Sequence, residues 1–375
     1  MTEEGPIHEI EVAAVADPPD GVRLEWRCGG DSFLRRVEAR RAAALTAAQE
    51  GLYQRMAQGH PVAEEISALG AEMGDLLVGE ENVAALRGFL ERRDGRFALC
   101  RIGGGAGPLP ALPWEALQLP GTSEPLLFAA EARGWFDFAR DHPPGLATGG
   151  RRVLDKCLAS ISPHGELMVQ KEVEELSRRF LRHPIRFRWV LDPDLSELIG
   201  RLRLECTLFL FAGHGWREDD SYKIGLRSGA VDVRTLHESL RLSRAEMLIF
   251  DSCDSGGGDP QAGLPALLGE LPSATCLLGL QGPTDDTLAC WHMPEIIERL
   301  LIGEPVWSCV NLLRMMLYEQ GADTWFAPVM HLKRTYQPFE NARGTRDYLD
   351  GLSDWVDERR SGGDGSRTAG SPRIT

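Results

Sequence analysis

The sequence lacks any apolar stretch long enough to cross a bilayer, and it contains only four lysines and no Cys-x-x-Cys pair. A membrane span needs about 20 consecutive apolar residues. The first residues, MTEEGPIHEIEV, are acidic and lack the basic start and apolar core of a secretory signal. We therefore expect a soluble, cytoplasmic protein with no membrane partner.

Charge and cysteine usage exclude further classes of protein. The net charge of −15 at pH 7 argues against nucleic-acid binding, which usually needs a basic surface, and it fits partners that present basic groups. The cysteines lie mostly in apolar runs, and the CWH stretch at 290–292 matches no common zinc-ligand spacing. We predict buried, reduced thiols, no metal site and no cofactor.

The order of elements predicts the fold class. From residue 150 onward, apolar runs typical of buried strands alternate with segments of helical periodicity. This order predicts an α/β fold in which a mostly parallel sheet carries helices on both faces. The Pro- and Gly-rich stretch at 141–150 marks a boundary between an N-terminal α+β region, residues 1–145, and a main domain, residues 150–335. A C-terminal helix at 340–359 and a disordered tail at 360–375 complete the prediction.

Two segments place reactive side chains directly after apolar runs. His214 follows such a run in LFLFAGHGWR, and Cys253 follows one in MLIFDSCDSGGG. Parallel neighbouring strands bring their carboxyl ends to one edge of a sheet, where open α/β sheets bind their ligands. An imidazole beside a thiol can take the thiol proton and so activate the sulfur as a nucleophile. The pair predicts a cysteine hydrolase.

Glycines surround both residues. The backbone N–H groups of Gly215 and Cys253 are candidates for an oxyanion hole that stabilises a tetrahedral intermediate. The glycines at 256–258 are predicted to let an extended substrate backbone approach closely.

These motifs resemble those of caspase-like cysteine peptidases, in particular metacaspases and the CHAT peptidases of bacteria. FAGHG and DSCDSG resemble the two catalytic motifs, and LPWEAL at 112–117 resembles an element upstream of them in CHAT domains. TCLLGLQGPTDDTLA, LLIGEPVWSCVNLLRMML and WFAPVMHL resemble the strands and helix that follow the catalytic cysteine. The similarity covers about residues 80–335.

The resemblance implies a caspase-like fold and specific roles for catalytic residues. His214 would be the general base and acid, Cys253 the nucleophile, and the backbone of Gly215 an oxyanion donor. Asp254, directly after the nucleophile, departs from the family pattern, because metacaspases often have His there and caspases have Arg. A carboxylate beside a thiolate disfavours the thiolate.

The resemblance also implies specificity. Asp251, two residues before the nucleophile, stands where metacaspases hold an acidic floor for the P1 side chain. Cleavage after a basic residue follows, with Arg preferred to Lys because its guanidinium group can pair with a carboxylate through two hydrogen bonds. Asp285, in the PTDD turn, is the second candidate for this pocket.

By this resemblance the protein is a cytoplasmic cysteine endopeptidase whose partners are protein substrates with exposed Arg-containing loops. Such bacterial proteins act in defence or cell-death cascades, CRISPR-associated antiviral defence among them, which implies an upstream activating protease or regulator and a zymogen. The polar stretch at 216–229 predicts an exposed loop in which Arg217, Lys223 and Arg227 are potential cut sites.

Two other functions remain open. One is a catalytically silent CHAT-like module for protein interaction, which the intact His214–Cys253 pair disfavours. The other is acyl transfer or small-molecule hydrolysis, which the absence of a Gly-x-Ser-x-Gly elbow disfavours. Residues 1–145 are either an inactive caspase-like half or a helical cap on the sheet.

Overall fold

The computed structural model describes residues 7–17, 21–92, 96–103, 108–142, 154–162, 169–180, 183, 185–218, 221–257, 263–284, 293–336 and 338–339. Its strands are β1 Ile7–Asp17, β2 Gly21–Cys28, β3 Asp31–Glu38, β4 Phe97–Ile102, β5 Phe136–His142, β6 Lys156–Ser162, β7 Arg186–Leu191, β8 Leu208–Gly213, β9 Gly215–Glu218, β10 Ser221–Leu226, β11 Gly229–Asp232, β12 Met247–Asp251, β13 Cys276–Leu280 and β14 Pro328–Lys333. Its helices are α1 Ala39–Ala57, α2 Ala63–Leu77, α3 Val83–Glu91, α4 Val169–Phe180, α5 Leu195–Leu202, α6 His237–Ser243, α7 Gly263–Glu270, α8 Met293–Leu301 and α9 Val306–Glu319.

Most of the strands form one large sheet. Within the residues described, it has eleven strands in the order β3-β2-β1-β4-β5-β14-β13-β12-β8-β6-β7. Neighbouring strands run parallel except in the β1–β2 and β2–β3 hairpins and between β13 and β14. The predicted mostly parallel sheet is therefore confirmed.

Helices cover both faces of this sheet, as the sequence order predicts. Alternate side chains of β6, β8, β12 and β13 enter two different apolar layers. One layer includes Leu198 of α5, Leu240 of α6 and Leu267 of α7. The other includes Leu176 of α4 and Ile296 of α8, and it continues along the N-terminal strands to α1, α2 and α3. Burial on both faces explains why these strands are continuous apolar runs rather than alternating ones.

The N-terminal region supplies five of the strands in the large sheet. The sequence predicts two strands in residues 7–35 and a helix from residue 36, whereas the structure has a third strand, β3, and begins the helix at Ala39. Gly29, with a φ of 60°, forms the turn of the β2–β3 hairpin that the sequence analysis missed. Strand β5 then pairs with β14, so the sheet is continuous across the boundary predicted at 141–150.

The prediction of an exposed loop at 216–229 is wrong. Strands β9, β10 and β11 form a small antiparallel sheet in this part of the chain. Tyr222, Ile224 and Leu226 are buried, and their alternation in SYKIGL is the strand signal that the surrounding charged residues obscured. Of the three proposed cut sites, only Arg227 lies in a turn, between β10 and β11.

Several predictions lie outside the described residues: the helix at 340–359, the tail at 360–375 and the CWH stretch at 290–292. None of the helices that the structure describes combines the length and the apolar character needed to cross a membrane.

Candidate functional site

Strand register brings His214 and Cys253 to the same edge of the sheet. Strands β8 and β12 are parallel neighbours, and their last paired residues are Ala212 and Asp251. His214 and Cys253 each follow this pair by two positions, so they occupy equivalent steps beyond two adjacent strands. Adjacent strands lie about 4.8 Å apart. The structure therefore brings the backbone of both residues to the carboxyl edge of the sheet, beyond two adjacent strands.

Cys253 differs in exposure from the other cysteines that the structure describes. It is half-buried, whereas the remaining six are buried. Burial raises the pKa of Cys206 to about 11 and raises the pKa of Cys157 well above its usual value, which keeps these thiols protonated and inert. Among the cysteines that the structure describes, Cys253 is thus the most accessible to a reagent or substrate.

The thiol of Cys253 contacts the backbone of Thr284, beyond β13. The Thr284 N–H donates to Cys253 Sγ at 3.5 Å, and the Thr284 carbonyl oxygen lies 3.8 Å from the same sulfur. The sulfur thus lies against both the N–H and the carbonyl group of one residue. Thr284 has no counterpart in the sequence prediction.

A buried tyrosine of the small sheet, which begins directly after His214, forms a hydrogen bond with the backbone of Cys253. The Tyr222 hydroxyl group donates to the Cys253 carbonyl oxygen at 2.8 Å. Its single proton is used there, so the Ser252 hydroxyl group must donate to Tyr222 Oη, also at 2.8 Å. Burial raises the pKa of Tyr222, so the phenol remains a neutral donor. The strand alternation of SYKIGL was the signal that could have located Tyr222 on a buried face.

Gly215 is required by close packing. A Cβ atom added at this position would lie 1.8 Å from Tyr222 Oη and 3.0 Å from Ser252 Cβ. The Gly225 N–H donates to the His214 carbonyl oxygen at 2.9 Å, which makes Gly215 and Ile224 a non-hydrogen-bonded pair of the β9–β10 ladder. The N–H of Gly215 is therefore not used by β10; its oxyanion role stays a prediction.

Gly256, the first of the glycines after Cys253, packs closely against strand β13. A Cβ atom at Gly256 would lie 2.9 Å from the Gly279 carbonyl carbon, and one at Gly279 would lie 2.6 Å from the Gly256 nitrogen. Both positions are thus set by contact between the segment after Cys253 and strand β13. This internal packing, rather than the approach of a substrate backbone, explains Gly256. Gly258 lies outside the described residues.

Asp254 adopts the left-handed conformation, with a φ of 57°. Its backbone N–H donates to the Gly282 carbonyl oxygen at 3.2 Å, which fixes the turn that carries Cys253. Burial raises the pKa of the Asp254 carboxyl group, and the positive charge of Arg217 on β9 acts in the opposite direction. The carboxylate that departs from the family pattern is therefore partly compensated by a cation from the small sheet.

Of the two carboxylates predicted for the P1 pocket, the structure describes Asp251 but not Asp285. Asp251 ends β12 and is buried, and Cys253 lies in the turn two residues later. Asp285 lies outside the described residues. Among the residues described, no group of three or more His, Cys, Asp or Glu side chains is arranged to hold a metal ion.

The LPWEAL element contributes a buried charge cluster that the sequence analysis did not predict. Glu115 is fully buried and receives two hydrogen bonds from Arg140, at 2.7 and 2.9 Å, and one from Arg314 at 3.3 Å. Arg314 also donates to Asp137. Burial raises the pKa of Glu115, but the two arginine charges outweigh burial and lower the pKa below its usual value. Charged residues inside apolar segments were the sequence signal for this cluster.

No protein-family model matches the chain, and no curated protein matches it significantly. Among solved structures, the Saccharomyces cerevisiae separase–securin complex has a TM-score of 0.48 at 11% identity, covering 89% of this chain and 30% of that chain. The Arg specific cysteine proteinase gingipain R has a TM-score of 0.43 at 10% identity, covering 72% of this chain and 73% of its own. The complex of the Porphyromonas gingivalis RgpB pro- and mature domains has a TM-score of 0.42 at 10% identity, covering 69% of this chain and 70% of that chain.

The chain thus spans about 30% of the separase chain that it resembles. At these scores and identities the similarities carry no argument about function, which has to rest on the geometry of the chain itself.

Proposed function

We propose that the protein is a caspase-like cysteine endopeptidase in which Cys253 is the nucleophile and His214 the general base and acid. One observation carries this proposal. Adjacent parallel strands end in register, so that the half-buried thiol and the exposed imidazole follow the last paired residues by the same number of positions. A thiol with a neighbouring imidazole and an N–H donor at the sulfur has the elements of an activated nucleophile.

The reaction follows from these positions. The Cys253 sulfur attacks the scissile carbonyl carbon while its proton passes to the His214 ring. The N–H groups of Gly215 and Cys253 stabilise the negative charge on the former carbonyl oxygen. His214 then returns the proton to the departing amine as the C–N bond breaks. Water, deprotonated by His214, hydrolyses the thioester and regenerates the thiol.

Specificity for a basic P1 residue is part of the proposal. Asp251 is buried at the end of β12, two residues before the nucleophile. A carboxylate at that depth pairs well with an incoming guanidinium group, which loses water as it enters the site. Asp285 is the second proposed carboxylate. The net charge of −15 also favours the approach of basic segments of substrates.

The proposed setting is a cytoplasmic bacterial defence or cell-death cascade, with an upstream protease or regulator that activates a zymogen. This part rests on the resemblance of the catalytic motifs to CHAT peptidases and metacaspases. The small sheet formed by β9–β11 makes cleavage within 216–226 less favourable, because a paired strand must leave its sheet before a protease can bind it.

The proposal is tested by incubating the purified protein with a proteome extract and identifying new termini by mass spectrometry. We expect cuts after Arg that disappear in Cys253→Ala and in His214→Ala. Cys206→Ala, which removes a buried thiol away from the site, is the matched control and should retain the cuts. A chloromethylketone with P1 arginine should label Cys253 selectively. Cleavage that persists in Cys253→Ala, or a protein that neither cleaves nor labels, contradicts the proposal and favours a silent interaction module.

A further inference from the structure

Residues 281–284, directly after β13, make the contacts that hold the turn of Cys253. The carbonyl oxygen of Gly282 accepts a hydrogen bond from the Asp254 N–H at 3.2 Å. Two residues later, the Thr284 N–H donates to Cys253 Sγ at 3.5 Å. Any movement of this segment would therefore move both the backbone beside the sulfur and the donor that faces it.

The side chain of Gln281 attaches this segment to Glu115 and to the backbone of Phe326. It is buried, and its Nε2 donates to Glu115 Oε2 at 2.9 Å and to the Phe326 carbonyl oxygen at 2.7 Å. Its backbone N–H donates to the Ala327 carbonyl oxygen at 2.7 Å. Both protons of the amide are thus used, and Gln281 has a single orientation that satisfies them.

Tyr53 of helix α1 contacts the same segment. The Tyr53 hydroxyl group donates to Gln281 Oε1 at 3.3 Å and accepts from Gln49 Nε2 at 3.0 Å. The Tyr53 ring lies against Gly282, where an added Cβ atom would be 2.9 Å from Tyr53 Cδ1. Gly282 has a φ of 73°, so this close approach coincides with a conformation that favours glycine.

Glu115, which accepts from Gln281, is itself held by several hydrogen bonds. Glu115 is fully buried and is held by Arg140 through both carboxylate oxygens, with Arg314 as a third donor. Its lowered pKa means that it stays ionised and remains a strong acceptor for Gln281. The anchor belongs to the LPWEAL element, and Tyr53 belongs to α1, so both lie in the N-terminal region.

We propose that Gln281, held between Glu115 and Tyr53, is a positioning residue that sets the distance between the Thr284 N–H and the Cys253 sulfur. It does not touch the reacting atoms; it acts through Gly282 and Thr284. The N-terminal region then contributes directly to the reactivity of the nucleophile. This inference rests on the proposed function in so far as Cys253 is the nucleophile.

The test compares two buried glutamines. Gln281→Met preserves the approximate volume of the side chain and removes its hydrogen bonds. Gln118→Met is the matched control, because Gln118 is also buried and donates through Nε2, in this case to Ser67, away from Cys253. Tyr53→Phe removes only a hydroxyl group and serves as the milder variant should Gln281→Met fail to fold.

The readout is the rate of Cys253 alkylation by iodoacetamide, followed by peptide mapping between about pH 5 and 9. We expect Gln281→Met to slow alkylation at pH 7 by about tenfold and to shift the rise in rate to higher pH, the effect expected when one donor to the sulfur is misplaced. Tyr53→Phe should act in the same direction by about two- to threefold, since Gln281 loses only one long hydrogen bond and keeps those of its Nε2 group. Gln118→Met should keep the wild-type profile even if its melting temperature falls.

Peptide cleavage by the wild-type protein, measured separately, distinguishes failure of this inference from failure of the proposed function. If alkylation shifts in Gln281→Met but the wild-type protein cleaves no peptide, the positioning role stands and the peptidase proposal fails. If the wild-type protein cleaves peptides and both Gln281→Met and Tyr53→Phe alkylate as fast as wild type, the positioning role is overturned. Equal slowing in Gln118→Met also overturns it.

Discussion

Tyr222 donates a hydrogen bond to the carbonyl oxygen of Cys253 at 2.8 Å, although Tyr222 lies in the small sheet and Cys253 follows a strand of the large one. The small sheet begins directly after His214, at Gly215. The segment that carries the proposed base is thus attached to the backbone of the proposed nucleophile through a single buried phenol. We therefore expect the relative placement of the two proposed catalytic groups to depend on this contact as well as on strand pairing.

Replacing Tyr222 by Phe should therefore reduce both activity and stability. The variant keeps the ring in the apolar layer and loses the hydrogen bonds to Cys253 and Ser252. We expect kcat/KM to fall by about tenfold and the free energy of unfolding to fall by about 2 kcal/mol, since two hydrogen bonds of about 1 kcal/mol each are lost. Peptide cleavage and urea unfolding measure the two effects. Unchanged kcat/KM with the same loss of stability would show that the contact only supports the fold.

Gly215→Ala tests the packing of the histidine turn. The new Cβ atom would meet Tyr222 Oη at 1.8 Å, so either the tyrosine or the His214 backbone must move. We expect cleavage to fall by at least about a hundredfold, because displacements of about 1 Å in a catalytic site have effects of this size. Gly88→Ala in α3 is the control, since nothing lies within 4 Å of its added Cβ atom. An active Gly215→Ala enzyme would contradict the assigned turn geometry.

The position of His214 and Cys253 at one edge of the sheet could be predicted from the sequence, because each residue follows a locally recognisable apolar strand. The apolar runs before His214 and Cys253 define two buried strands, and parallel pairing brings their ends together. The alternation of Tyr222, Ile224 and Leu226 was a strand signal for the small sheet, but the charged residues around it obscured that signal. The Glu115–Gln281 contact could not be predicted in this way, because the two residues are 166 positions apart in the chain. Contacts of that separation depend on how the whole sheet is assembled, which no local periodicity encodes.

Asp254 should slow the reaction of Cys253 through its charge. Because Asp254 directly follows Cys253, its negative charge disfavours a thiolate, so Asp254→Asn should increase the rate of alkylation at pH 8, by about three- to tenfold for a nearby charge in a partly screened site. Because burial raises the pKa of Asp254, with Arg217 opposing, the wild-type carboxyl group becomes neutral as the pH falls. The two proteins should then converge at low pH.

Arg217→Ala is the complementary variant. Loss of this cation leaves the Asp254 charge uncompensated, so alkylation at pH 8 should be slower than in wild type. The double variant, Arg217→Ala with Asp254→Asn, should recover much of the rate. If Arg217→Ala slows alkylation equally in the Asp254→Asn background, Arg217 does not act through Asp254.

The buried histidine pair predicts a loss of stability in acid. His331 Nε2 must donate to the Gly256 carbonyl oxygen at 2.9 Å, so its Nδ1 accepts from His142 Nε2 at 3.1 Å. Burial, with the nearby charge of Lys333, lowers the pKa of His142 from 6.5 to about 4. As the pH falls from 6.5 to 4, the unfolded chain binds a proton at His142 that the folded protein does not. Stability attributable to this residue is therefore complete above pH 6.5 and is lost as the pH falls.

The size of this effect follows from the shift, at about 1.4 kcal/mol per pH unit, which gives about 3 kcal/mol at pH 4. Urea unfolding of wild type and His142→Gln at several pH values measures it, since the pH dependence of other groups, such as Asp137, cancels in the difference. We expect the stability difference between the two proteins to decrease as the pH falls from 7 to 4. A difference that does not change with pH would show that His142 is not buried in its neutral form.

Specificity should depend on Asp251. A substrate arginine that enters a pocket beside Cys253 loses its water and has to be paired, because an unpaired buried charge costs several kcal/mol. Asp251 is buried at the end of β12 and can provide the carboxylate, with two hydrogen bonds to arginine and a single point contact to lysine. We therefore expect P1 Arg to be preferred to Lys, with little or no cleavage after Asp.

Asp251→Ala should cost about 2–5 kcal/mol of transition-state binding for an arginine substrate, which lowers kcat/KM by about one to four orders of magnitude. A fluorogenic peptide series that differs only at P1, run on wild type, Asp251→Ala and Asp285→Ala, measures this loss. Asp254→Asn is the charge-matched control, since it also removes one carboxylate near Cys253. A wild-type preference for Asp or an apolar residue at P1, or full arginine activity in Asp251→Ala, would show that the pocket is formed by other residues. Loss of arginine activity in Asp285→Ala alone would assign the pocket to Asp285.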